Sequence, residues 1–165
     1  MKKLLISVLC LTLLFAPALA ADDATVTRGQ FVAGIWELWG GVPYEDTRVF
    51  SDVDHDRSDT TAICWAYDLG LVQGTGGGLF APDRPITREE AAVLLRRAAD
   101  YLGRETATSS NLAECNDYDG ISPWADDSLY WATEIRLIDW APGGLMAPGE
   151  MVSPAEFSGI LERFV

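Results

Sequence analysis

The densest run of potential ligating side chains is Asp52-Val53-Asp54-His55-Asp56-Arg57-Ser58, with carboxylates at alternate positions as in a calcium loop. Such a loop needs a glycine at its sixth position for the sharp turn and a bidentate acid at its twelfth. Arg57 and Ile63 stand there instead, so no metal is assigned. His55 is the single histidine, and no serine or cysteine sits beside a base in the arrangement that activates a nucleophile. Carboxylate pairs carry no glycosidase signal, because among 25 acids any spacing can be found. The pattern therefore points away from an enzyme and from any cofactor. Trp65, Trp124 and Trp131 could stack on a flat ligand face, although tryptophan at helical spacing beside Ile and Ala is also what a core requires. Cys64 and Cys115 both stand among apolar neighbours, which favours two small buried residues over a disulfide.

The elements that would position these residues begin after a leader. Lys2 and Lys3 precede an apolar run from Leu4 to Phe15, and Ala18-Leu19-Ala20 offers the small residues of a cleavage site, so residues 1–20 read as a secretory signal peptide. The run is shorter than the roughly 20 residues that span a bilayer, and Cys10 within it lies in the wrong context for lipid attachment. Residues 21–165 are one domain's worth of chain. They hold ten arginines, no lysine and 25 acids, a net charge of about −15. Nucleic acid and anionic membrane surfaces are excluded as bulk electrostatic partners, and any anion must be held locally.

Self-comparison organises the rest. Trp65-Ala66, Leu69, Leu71-Val72, Leu79, Ala81-Pro82, Ile86-Thr87 and Glu90 recur 66 residues later as Trp131-Ala132, Ile135, Leu137-Ile138, Leu145, Ala147-Pro148, Val152-Ser153 and Glu156. The tail of the unit occurs a third time at Val26-Thr27-Arg28-Gly29-Gln30. In each tail Thr27, Thr87 or Ser153 is followed three residues on by Gln30, Glu90 or Glu156, the capping-box pattern, and apolar residues then recur at helical spacing. Three amphipathic helices follow, the first two stopped by Gly40-Gly41 and Gly103. Shorter helices are predicted over 60–68 and 128–136, each running into a glycine-rich turn, and 104–113 reads as a polar connection.

These residues resemble the S-layer homology (SLH) repeat, a cell-wall-binding module of bacterial surface proteins. The resemblance rests on Phe50-Ser51-Asp52-Val53, on Ala62-Ile63-Cys64-Trp65-Ala66, on Leu71-Val72-Gln73-Gly74 with Gly78-Leu79-Phe80-Ala81-Pro82, and on Ile86-Thr87-Arg88-Glu89-Glu90. It covers residues 25–165: a first motif helix (25–41), a full repeat (50–103) and a second repeat (115–165). In the second repeat Ile121-Ser122-Pro123-Trp124-Ala125 fits, while Cys115, Trp140 and Pro154 replace the aromatic, the Gly and the Arg.

The resemblance implies a mainly α fold, a three-helix central bundle with two projecting helix-loop prongs, which is an incomplete pseudo-threefold spindle that an oligomer could complete. It also implies an exported protein at the bacterial cell wall or surface that binds secondary cell-wall polysaccharide, pyruvylated in many members, in grooves between repeats. Carried over by position, the ligand set is Arg28, Arg88, Thr27, Thr87, Glu89, Asp52 and Trp124. A guanidinium fork matches a carboxylate, and a helix N-terminus would add free N–H groups. Against that, each arginine could simply pair with an acid near the helix start, and Asp52 and its counterpart Asp117 could tie down a turn. With Pro154 in the third arginine's place, at most two grooves are expected. The competing expectation is a secreted protein-interaction or assembly module, binding other surface proteins or itself, that has lost carbohydrate binding.

Overall fold

The computed structural model describes residues 24–45, 47, 49–108 and 115–165; the leader expected at residues 1–20 and the end of the 104–113 connection lie outside them. Among the described residues the fold is mainly helical: α1 (Arg28–Leu38), α2 (Thr60–Asp68), α3 (Arg88–Tyr101), a 3-10 turn (Tyr118–Gly120), α4 (Asp126–Glu134) and α5 (Pro154–Phe164). Extended pairing is confined to isolated bridges, and no helix is long and apolar enough to cross a membrane.

The helix starts follow from their caps. Thr27 and Thr87 each accept a hydrogen bond from the backbone N–H three residues on, while the side chains of Gln30 and Glu90 accept from the cap N–H, closing both capping boxes. Ser153 caps α5 in the first sense only, since the Glu156 carboxylate turns to Arg88. α4 begins two residues before the predicted start: Asp126 and Asp127 sit in its first turn, where negative charge favours a helix N-terminus. It ends before Arg136, whose φ of 59° no helix accommodates.

The three segments that enter α1, α3 and α5 meet in a closed ring of backbone hydrogen bonds. Val26 N–H donates to Val152 O (2.9 Å), Val152 N–H to Ile86 O (3.0 Å), and Ile86 N–H to Val26 O (3.0 Å). Val26, Ile86 and Val152 are all buried there, which takes water away from these amides and makes an unmade bond costly. α1 packs on α2 and α3 on α4, and α1 also meets α5, where Phe31 and Phe157 lie with ring centroids 4.8 Å apart. One continuous apolar core results, running from Phe31 and Ile35 through Ile63, Phe80 and Leu95 to Leu129, Trp131 and Phe164. Trp65 and Trp131 belong to that core. Cys64 and Cys115 are free thiols; Cys64 is buried, and Cys115 is half-buried with its Sγ hydrogen-bonded to Asp117 (3.0 Å).

A groove between the two units

Each full unit builds a turn in which an alanine takes a left-handed conformation, Ala81 (φ 59°) and Ala147 (φ 51°). That region costs a non-glycine residue of order 1 kcal/mol or more and persists only where neighbours over-determine it. Here they do. Asp52 accepts the N–H groups of Phe80 and Ala81 (2.8 and 2.7 Å), and Asp117 those of Met146 and Ala147 (2.8 and 2.7 Å). Burial raises the Asp117 carboxyl, but the bonds from Cys115, Met146 and Ala147 outweigh it and hold the group below its ordinary range. Asp52 is thus occupied by the turn.

The turns then plug the helix starts. Arg28 and Gly29 donate their N–H groups to Arg84 O and Pro82 O, and Arg88 and Glu89 to Glu150 O and Pro148 O. With the next N–H on the cap hydroxyl and the fourth on the cap carbonyl, all four orphan donors of α1 and of α3 are satisfied within the protein. The expected free N–H groups are therefore absent at α1 and α3, because the chain's own carbonyls already use them.

The motif arginines are the wedges that lock helix to turn. Arg28 donates from Nε to Phe80 O (3.1 Å), from Nη2 to Gln73 O (3.1 Å) and from Nη1 to Glu90 (3.3 Å), and lies over the Phe80 ring at 4.7 Å. Burial pulls its guanidinium below the ordinary value, against the pull of Glu90. Arg88 repeats the pattern with Met146 O, Asp139 O and Glu156. Burial raises the Glu156 carboxyl despite Arg88 beside it. Thr27 and Thr87 are consumed as caps, and Glu89 accepts both the N–H and the Oγ–H of Ser122 (3.0 Å each).

One groove remains open beside these locks. A cavity of about 140 Å³ has an apolar floor of Leu71, Val72 and Phe80, with Arg28, Gln73, Glu90, Arg97 and Trp124 also lining it. Trp124 comes from the second unit and is 59% exposed. Arg97 has a single hydrogen-bond partner among the described residues, the carbonyl of Leu71 at 3.4 Å, and no carboxylate pairs with it. Of the seven residues expected at the site, the groove collects Arg28 and Trp124; the other five serve caps, turns and inter-unit contacts. Arg97 escaped the motif reading, yet it carried a signal. Position 163, 66 residues on, is also arginine, and Arg163 donates to Leu137 O (2.9 Å) just as Arg97 does to Leu71 O. In the second unit Asp139 replaces Gln73 and pairs with Arg163 at 3.5 Å, neutralising the corresponding cation. Among the described residues, no cluster of histidine, cysteine and acids could hold a metal ion.

Residues 49–92 match the model of the S-layer homology domain. The chain carries an SLH domain. Three relatives extend the likeness beyond the matched stretch. An exoglucanase, XynX, of Acetivibrio thermocellus is 31% identical over 83% of this chain, and an endoglucanase of Bacillus sp. (strain KSM-635) is 36% identical over 75%. A cellulosome-anchoring protein of Acetivibrio thermocellus is 31% identical over 58%. The chain spans 12%, 13% and 21% of the length of these proteins. With so small a share of either glucanase matched, their names indicate no enzyme role for the SLH domain.

Proposed function

We propose that the protein is an exported cell-surface module that holds to the bacterial wall by binding secondary cell-wall polysaccharide, non-covalently, in the groove beside Arg97. On this reading residues 1–20 are removed on export. The three motif helices form the centre of an incomplete spindle around the hydrogen-bonded ring, with 50–85 and 115–151 as its prongs. The anchoring named in the cellulosome protein accords with such a role.

The observation that carries the reading is an arginine without a carboxylate partner sharing a groove with an exposed tryptophan, in a chain with 25 acids. An indole face stacks on a sugar ring, the guanidinium takes a sugar carboxylate, and the apolar floor suits the methyl group of a ketal-linked pyruvate. Because Arg28 and Arg88 hold the fold, removing them would test folding rather than binding. The informative variants are Arg97→Gln and Trp124→Ala.

The test is co-sedimentation of residues 21–165 with walls of the producing cell, before and after acid removal of the polysaccharide. Wild type should pellet with untreated walls alone, and each variant should stay largely in solution. Equal pelleting of wild type and variants, or pelleting that survives acid treatment, would sink the reading and favour a protein-interaction module that binds surface proteins or itself.

A further inference from the structure

We propose that the groove continues past Trp124 into a second subsite, between α3 and α4, that takes the neutral sugar next to the acidic one. The proposal rests on the polysaccharide reading of the first groove. A second cavity of about 300 Å³ shares Val93, Arg97 and Trp124 with the first, so the two are halves of one channel that bends round the indole. Glu90, Val93, Arg97 and Asp100 follow one another at three- and four-residue steps along one face of α3. At 1.5 Å per residue they cover about 15 Å, room for two linked sugar rings.

The halves differ in chemistry. The first has the apolar floor, whereas the second is lined by Arg96, Asp100, Thr106 and Ser128. Asp100 is exposed, and its carboxylate has no partner among the described residues. Arg96 is already oriented, donating to Thr106 O (3.1 Å) and lying 3.6 Å from Asp127. A free carboxylate beside a partly neutralised guanidinium repels a second acidic group and pairs with hydroxyls, accepting from one and donating to its neighbour. Trp124 then stacks on the ligand where it passes from one subsite to the other.

The experiment is calorimetric titration of the full mature chain with two size-sorted fragments of the producing cell's wall polysaccharide: the isolated acidic sugar, and the same sugar with its neutral neighbour attached. Wild type should bind the longer fragment about tenfold more tightly. Asp100→Ala, an exposed helix position, should erase that gain and leave the single sugar's affinity unchanged, while Arg97→Gln weakens both. If the single sugar binds but length adds nothing, or Asp100→Ala keeps the full gain, the second subsite is wrong and the first stands. If wild type binds neither fragment, the polysaccharide reading and the subsite fall together.

Discussion

At the base of the first unit a carboxylate arrives from Asp59, at the start of α2, and fills space that exists because position 29 is glycine: a Cβ there would lie 2.0 Å from Asp59 Oδ2. Asp59 is buried, and Arg57 bridges it to Asp83 with hydrogen bonds of 2.9 to 3.0 Å; these two carboxylates hold Arg57 well above its ordinary pKa. At the base of the second unit the direction is reversed. Position 89 is glutamate, and its carboxylate reaches out from α3 to Ser122, while Ala125 stands where the first unit has Asp59. The same junction between a motif helix and its prong thus carries one buried negative charge in both units, supplied from opposite sides. The open groove shows a second asymmetry: Gln73 leaves Arg97 unpaired, while Asp139 neutralises Arg163. What recurs is the geometry of the lock, and what varies is the chemistry left over beside it.

The largest expected effect comes from breaking the better-buried lock. Arg88→Ala strands the Glu156 carboxylate and the Met146 and Asp139 carbonyls and should cost about 3–5 kcal/mol in urea unfolding. Arg28→Ala should cost clearly less, since Glu90 keeps Arg84 at 2.5 Å; equal losses would refute the asymmetry. Next comes the junction. Gly29→Ala should cost about 1–3 kcal/mol by displacing Asp59. Added to an Asp59→Ala background it should cost far less, which a double-mutant cycle reads directly.

A smaller effect follows from Asp117. Its folded-state pKa lies below the unfolded value, so its contribution is full above the ordinary carboxylate range and is lost as pH falls through the folded value. Asp117→Asn should therefore flatten the loss of stability between about pH 5 and pH 2, followed by circular dichroism. An unchanged acid limb would show that the bonds to the Ala147 turn do not discriminate between protonation states. Smallest is Trp124→Ser, which gives the second unit the residue its counterpart has at Ser58. Stability should move by less than about 0.5 kcal/mol while wall binding is lost.

The helices were legible because their signals are local: Thr87 and Glu90 announce a cap, and Ile63, Trp65 and Ala66 a buried face. The family was legible because the unit recurs. The use made of Arg28 and of the helix N–H groups was hidden, since their acceptors, Gln73 O, Phe80 O, Pro82 O and Arg84 O, are backbone carbonyls about 45 to 56 residues away and leave no mark of residue type. Trp124 was visible as a motif residue, yet its exposure depends on packing between units that no local pattern encodes. Arg97 could have been found from Arg163, had the comparison of copies been carried past the motif into the helix.

A linear array of repeats adds stability link by link and can lose a terminal repeat without losing the others. The ring of Val26, Ile86 and Val152 makes this molecule the opposite case. Its first link waits for an acceptor 126 residues downstream, so α1 stays unmoored until nearly the whole domain has been synthesised and has crossed the membrane. The module matures in one late, all-or-none closure, and a cut anywhere between the units should release every helix at once.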